Sequence, residues 1–356
     1  MMLIKEIFKT MNYIPIPSIL SYSWNFGSLL GCFLVIQVVT GFLLATHYEA
    51  SLSSFESVLL IEFDVLEGWL VRSMHANGAS WFFILVYLHI WRSLWFGCFS
   101  QKFVWVSGIL ILLFMMAISF LGYVLPWGQM SFWGATVITN LFSALPFVGS
   151  DLVVWVWGGF SVSSPTLERF FSLHFMLSMI LLCFVASHII FLHEDGSSNP
   201  LGLDLQSDKV YFYPYFMLKD LLGGLVVVII YFSLSLYSPD MFMDPDNFVE
   251  ANPLVTPPHI QPEWYFLFAY AILRAVPSKL GGVVALGMSI MSLMVLLLGK
   301  SYSARFSVAR KVLVYSLVVS VLILSWLGAM PAEVPFVGVS QVTSVIYFTL
   351  ILLISL

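Results

Sequence analysis

The stretch LVRSMHANGASWFFILVYLHIWRSLWF, residues 70–96, decides how the rest of the chain is read. It is long and apolar enough to cross a bilayer, yet it carries two histidines, His75 and His89, fourteen residues apart. Fourteen residues is just short of four helical turns, so both imidazoles leave one face of a helix, about 21 Å apart along its axis. The spacing recurs in residues 167–192, LERFFSLHFMLSMILLCFVASHIIFL, which hold His174 and His188.

The surrounding composition fits membrane helices. Of 356 residues, 60% are hydrophobic and 9% charged, and the mean hydropathy is +0.97. A soluble domain carries roughly 25% charged residues, so the chain is an all-α integral membrane protein with no nucleic-acid partner. Eight apolar stretches are each long enough to span: Trp24–Thr46, Leu70–Cys98, Val104–Pro126, Leu167–Leu192, Leu218–Tyr237, Leu280–Gly299, Val312–Ala329 and Val339–Leu356. The longer connections are Tyr48–Trp69, Trp127–Thr166, His193–Met217 and Ser238–Lys279, and Trp133–Leu145 reads as an amphipathic surface segment. Cys32, Cys98 and Cys183 form no CxxC or CxxCH. They read as buried small hydrophobes rather than disulfides, a zinc site or a covalent haem anchor. Residues 1–10 carry Lys5 and Lys9 without a following cleavable apolar core, so no removable leader is expected.

Alternating the connections puts Lys5, Lys9, Arg92, Lys102, Lys209, Lys219, Lys300, Arg305, Arg310 and Lys311 on one side, called N. The opposite side, P, receives only Arg72, Arg169, Arg274 and Lys279, together with most acidic residues. The positive-inside rule makes side N cytoplasm-like, with both termini there. The second and fourth spans then run parallel. His75 and His174 share a depth near side P, and His89 and His188 share one near side N.

Two imidazoles facing each other across a bundle can ligate one octahedral iron, so the four would hold two non-covalent b-type haems. A single intramembrane histidine can be a satisfied core residue, but four at a repeated spacing on parallel spans are hard to explain so. Glycines repeat the interval: Gly27 and Gly41 on the first span, Gly108 and Gly122 on the third. Gly27 and Gly108 match the depth of His89 and His188; Gly41 and Gly122 match His75 and His174. Lacking a side chain, each lets backbone approach a porphyrin face or edge, although small-residue helix packing also uses glycine. Arg72 and Arg92 lie three residues outward of His75 and His89, on the same faces, and are candidate propionate partners with Trp24 and Asn25 at the N end. Snorkelling anchors would look alike.

These residues, with FGSLLG (26–31), MHANGAS (74–80), GYVLPWGQMSFWGATVIT (122–139), WGGFSV (157–162), GSSNPLG (196–202), TPPHI (256–260) and PEWYFLFAYAILRAVP (262–277), give a chain that resembles cytochrome b. This is the haem-bearing core of the mitochondrial and bacterial cytochrome bc complex (respiratory complex III). The resemblance covers nearly the whole chain. It implies eight transmembrane helices, the first four forming a di-haem four-helix bundle. Residues 1–204 would be that bundle, helices A–D with surface helices in the C–D loop. Residues 205–356 would be helices E–H with the PEWY-containing loop.

By resemblance, ubiquinol is oxidised near side P and quinone reduced near side N, coupled to proton translocation. His75 and His174 would hold the low-potential haem, and His89 and His188 the high-potential one. Glu263, Tyr270, Tyr123 and Gly134 would form the quinol site; His193, Asp220, Lys219, Ser28 and Ser197 the quinone site. One electron would leave for an iron–sulfur partner and the other would cross through the two haems. The implied partners are a Rieske iron–sulfur protein, a c-type cytochrome subunit and further complex III subunits in a homodimeric complex. The implied location is the mitochondrial inner membrane with both termini in the matrix, or alternatively a bacterial inner membrane. The loop before Leu70 is short, Phe63 stands where the family often has arginine, and the chain ends inside its last apolar stretch. A proton-coupled transporter, a di-haem ferric or ascorbate reductase and a non-catalytic scaffold are the competing readings. The transporter needs no haem and no matched glycines, the reductase needs no PEWY segment, and the scaffold leaves the histidines unexplained.

Overall fold

The computed structural model describes residues 13–203, 207–299 and 302–356. Lys5, Lys9 and Lys300, used above for orientation, lie outside them. Twelve α-helices occur among the described residues: α1 (Phe26–Ala45), α2 (Ser54–Phe63), α3 (Gly68–Phe96), α4 (Lys102–Val124), α5 (Gln129–Asn140), α6 (Gly149–Trp157), α7 (Ser164–Asp195), α8 (Tyr215–Tyr237), α9 (Leu267–Ala275), α10 (Lys279–Met291), α11 (Val308–Gly328) and α12 (Phe336–Ser355). A short antiparallel pair, β1 (Pro15–Pro17) with β2 (Lys209–Tyr211), ties the N-terminal segment to the approach to α8.

Seven segments are long and apolar enough to cross a membrane; they correspond to α1, α4, α7, α8, α10 with its 3-10 extension to Leu298, α11 and α12. The expected eighth, α3, is not among them. It has 29 residues, about 43 Å against a hydrocarbon core of about 30 Å, so length is not what it lacks. Arg72, His75, Asn77, His89 and Arg92 dilute its apolarity, and these are the groups that give the bundle its interior chemistry.

The outside of the molecule is apolar and the inside partly polar. On α8, Leu218, Leu221, Leu222, Leu225, Val226, Ile229 and Ile230 are exposed, while Thr40, Ser73, Asn77, Ser80, Ser107 and Ser289 of the helices are buried. Lipid tails satisfy the exposed side chains, and helices satisfy their own backbone groups, so the pattern suits a bilayer. It corrects the reading of the cysteines: Cys98 is buried, but Cys32 and Cys183 lie on exposed faces. In lipid an apolar thiol gains nothing from turning inward.

The most extensive contacts pair α1 with α3 and α4 with α7. The two pairs face each other across the histidine-lined interior. Ser163 and Thr166 form a capping box that starts α7, fixing its register ahead of His174. The α8 helix packs on α3, with Tyr231 donating to Met74 O at 2.6 Å and Ser73 donating to Ser235 O at 3.0 Å. The remaining helices, α9 to α12, pack on one another.

One connection carries more structure than the sequence reading gave it. The segment before α3 folds as α2. The segment Gln129–Asn140 is helical as expected of an amphipathic stretch, and it is pinned to the 244–255 connection. Asn247 Oδ1 accepts from the Ser131 amide at 2.8 Å and from its hydroxyl at 2.9 Å, and Val255 O accepts from Trp133 Nε1 at 3.1 Å. Gly128 makes this approach possible, because a Cβ there would fall 2.2 Å from Asn247 O.

Candidate functional site

The four histidines meet in two pairs inside the bundle. The ring centroids of His75 and His174 are 6.3 Å apart with planes at 84°; those of His89 and His188 are 6.5 Å apart at 64°. Metal–nitrogen bonds of about 2.0–2.1 Å on opposite faces of one ion, plus roughly 1.1 Å from each ring centre to its nitrogen, give about 6.3 Å. The centroid separations therefore match those of two imidazoles that would hold one metal ion between them. Their pairing also requires α3 and α7 to run parallel and in register.

Each glycine of the fourteen-residue repeat faces the histidine of its own level. A Cβ built on Gly122 would lie 2.6 Å from Cε1 of His174, on Gly41 2.9 Å from Cε1 of His75, on Gly108 3.3 Å from Cε1 of His188, and on Gly27 3.8 Å from Cε1 of His89. The sequence reading gave this room to a porphyrin. In the structure the imidazoles lean toward that same space.

The second ring nitrogen decides which nitrogen is free to ligate. His75 Nδ1 lies 2.9 Å from Thr40 Oγ1, whose hydroxyl is already donated to Ile36 O at 2.7 Å. His188 Nδ1 lies 2.8 Å from Ser107 Oγ, whose hydroxyl donates to Phe103 O at 2.7 Å. His174 Nδ1 lies 2.7 Å from Ile118 O. Ile118 O can only accept, and the Thr40 and Ser107 hydroxyls already donate to backbone carbonyls; with the Nδ1 proton directed at these three oxygens, each Nε2 presents its lone pair. Thr40 and Ser107 were missed from sequence, although each is a hydroxyl residue directly preceding one of the four glycines. His89 differs, since Arg92 Nη2 approaches its Nδ1 at 3.3 Å. A cation there donates, so ligation through Nε2 requires Arg92 to turn toward another acceptor.

An acceptor of that kind fits the N end. Arg92 is buried, stacks over Trp24 at 5.2 Å, and both Arg92 Nε and Trp24 Nε1 are buried donors without a partner. Two orphaned donors side by side match an anionic oxygen such as a carboxylate. The Asn25 amide nearby donates to Lys219 O at 3.2 Å. At the P end Arg72 is not free: it pairs with Glu62 at 3.1 Å, touches Met243 Sδ at 3.3 Å and lies over Phe248. A cavity of about 650 Å³ opens at this level, walled by Gly41, Gly122, His75, His174 and Arg72 among others. That volume suits a large cofactor. The donor set, ring spacing and cavity all fit a planar metal group held by two imidazoles.

Glu263, Tyr270, Tyr123 and Gly134 line one small pocket of about 30 Å³ beside that cavity. Glu263 and Tyr123 border both spaces. The segment is held by Tyr265 stacked on Phe83 (4.0 Å, 3°), by Tyr87 donating to Tyr265 O at 2.5 Å and by Trp264 Nε1 donating to Ser80 at 3.1 Å. Burial pushes the Glu263 carboxyl up to about 7, with Tyr123 donating to it and Asp244 adding repulsion. Burial likewise raises Tyr270, against the opposing pull of Arg274, which lies over its ring at 4.7 Å.

At the other end, Ser28 lies within hydrogen-bonding reach of Asp220. Lys219 donates to Leu20 O at 2.6 Å. His193 is exposed and Ser197 half-buried near the end of α7. Among the described residues no hydrogen bond or ion pair joins either to Ser28, Lys219 or Asp220, so this group is only partly assembled.

Residues 11–196 match the family model described as Cytochrome b/b6/petB, more than half of the chain, and residues 250–348 match Cytochrome b(C-terminal)/b6/petD. Among solved structures, a chain of one titled "Hyperthermophilic respiratory Complex III" is 30% identical, with 99% of this chain and 96% of that one covered and a TM-score of 0.93. A fold with paired imidazoles, facing glycines and both halves of the family pattern leaves one assignment: the chain belongs to the cytochrome b family, as a cytochrome b of the bc-complex type.

Proposed function

We propose that this chain is the redox catalytic subunit that oxidises quinol near one face of a membrane and reduces quinone near the other. Two b-type haems, when bound, supply one-electron transfer between the levels. His75 and His174 would hold one and His89 and His188 the other; residues 1–204 form the domain that carries them, and 205–356 the domain that carries the PEWY segment. The observation that carries the reading is the pair of ring separations, 6.3 and 6.5 Å, with Nδ1 engaged by an oxygen at three of the four rings.

The residues divide the remaining work. Arg92 and Trp24 receive an anionic group at the N end; Arg72, paired with Glu62, must release that carboxylate to receive one at the P end. Glu263 takes a proton from quinol in the pocket it shares with Tyr123, Gly134 and Tyr270, then turns toward the neighbouring cavity; its raised value suits a base working near neutrality. The 30 Å³ pocket must widen to admit a quinone ring. Ser28, Lys219 and Asp220 deliver protons at the N-side site, joined by His193 and Ser197 on closure. The other electron requires an acceptor outside this chain, here an iron–sulfur subunit handing on to a c-type cytochrome, in a homodimeric complex. A match to a hyperthermophilic complex fits a prokaryotic membrane better than the mitochondrial one expected from sequence, and the charge asymmetry of the connections supports both termini on its cytoplasmic side.

The test is to add a short-tailed ubiquinol analogue to the purified oxidised complex. The reading requires both b-type signals to be reduced, and a block at Glu263 to slow them. Quinol that leaves both signals oxidised contradicts it.

A further inference from the structure

The pocket of about 30 Å³ is lined by one firmly held element and one loosely held one. Tyr270 lines it from α9, and Ile260, Gln261 and Pro262 line it from the connection ahead of α9. Helix α9 is held at both ends. Gly328 lets the last turn of α11 close on Leu267 O, and Gln341 of α12 donates to Ala275 O at 3.0 Å. Between these ends Phe268, Ala269, Ala271 and Ile272 are buried. The connection has weaker ties. Tyr270 Oη donates to Ile260 O at 3.3 Å, and Gln261 Nε2 donates to Asp244 Oδ2 at 3.3 Å. Both are longer than a well-formed hydrogen bond of their kind.

Arg274 joins the held element to the pocket. It lies four residues after Tyr270, on the same face of α9. Its Nη2 donates to Leu327 O at 2.7 Å and to Met330 O at 2.9 Å. These carbonyls close the C-terminal end of α11, where a cation is favoured. The guanidinium, so anchored, lies over the Tyr270 ring at 4.7 Å from its centroid, inside the range of a cation–π attraction. A ring covered on that face does not swing away from its place. We propose that Arg274 is a positioning residue for quinol binding: it fixes the Tyr270 ring as a rigid wall, so that the pocket widens by release of Ile260 and not by movement of α9. Arg274 does not line the pocket; it acts through Tyr270 and leaves proton transfer at Glu263 alone.

The inference rests on the quinol-site reading above, and steady-state kinetics separate the two. In the purified complex, KM, kcat and their pH profiles for a short-tailed ubiquinol analogue are measured for wild type, Arg274→Gln, Arg274→Lys, Tyr270→Phe, Tyr270→Ala and the double variant Tyr270→Ala/Arg274→Gln. Arg274→Gln should raise KM roughly 10-fold, within the range of coupling between residues in contact. Its kcat, its pH profile and both b-type bands should stay as in wild type. Tyr270→Phe should not raise KM, because the ring stays under the guanidinium and only the tie to Ile260 O is lost. In the Tyr270→Ala background, Arg274→Gln should have no further effect. Arg274→Lys keeps a donor for the α11 carbonyls but loses the flat guanidinium over the ring, so it should raise KM by a smaller factor. It carries the test if Arg274→Gln loses the b-type bands, and an unmoved KM then overturns the proposal. So does an unmoved KM in Arg274→Gln with both bands intact, a fall in kcat alone, or an equally large KM rise in the Tyr270→Ala background. A wild-type complex that the analogue does not reduce refutes the quinol-site reading itself.

Discussion

His174 occupies the space that any side chain at position 122 would need: a Cβ on Gly122 would lie 2.6 Å from its Cε1. The same relation weakens in order through Gly41, Gly108 and Gly27, at 2.9, 3.3 and 3.8 Å. The bundle is thus graded in tolerance, tightest at the P level.

Gly122→Ala and Gly41→Ala should each displace a P-side imidazole and shift or abolish the P-side b-type band, leaving the N-side band. Gly27→Ala, with ordinary van der Waals room, should change neither. Band spectra of the purified variants decide, and a Gly27→Ala effect larger than that of Gly122→Ala would reverse the assignment of levels.

Thr40→Val removes the acceptor of His75 Nδ1–H while keeping the shape. Loss of an outer-shell partner of a ligating histidine typically lowers metal affinity about 10- to 100-fold. The expected outcome is weakened P-side haem retention with the N-side band intact, read by haem loss on dilution. Equal retention at both levels would show that Thr40 has no part in setting the tautomer.

The carboxyl of Glu263, held up to about 7, is protonated below that value and a base above it. Quinol oxidation should therefore rise with pH through about 7. Glu263→Gln should slow turnover and flatten this limb while both band spectra remain. Turnover with the wild-type pH profile in the variant would remove Glu263 from proton transfer.

His89→Leu should remove the N-side haem and spare the P-side one, because the levels share no ligand. A variant that still inserts but loses both bands would contradict independent levels. Quinol-site inhibitors give a second readout, as binding in the pocket of Glu263 and Tyr270 should persist.

The parts of this molecule with regular spacing were legible in the sequence. The fourteen-residue intervals of histidine and glycine fixed both levels, since a straight helix turns spacing directly into depth and face. The apolar runs located the spans to within a few residues. Side-chain partners from other helices were not legible. Thr40 and Ser107 look like ordinary small polar residues until the packing of α1 on α3 and α4 on α7 brings them to imidazoles. Glu62 lies in a connection of the sequence and meets Arg72 only because that connection folds as α2. Asn25 has such a partner too: α8 arrives beside it and Lys219 O accepts from its amide. Cys32 and Cys183 turned outward because bilayer-facing and interior positions are both apolar, so hydropathy alone cannot tell them apart.

The account rests on two cofactors clamped between α3 and α7. A reduced-minus-oxidised spectrum of the purified protein, with its haem content per chain, tests that directly. Two resolved b-type bands and two haems per polypeptide are the expected result. A featureless α-region, or one haem shared among the four imidazoles, would contradict it.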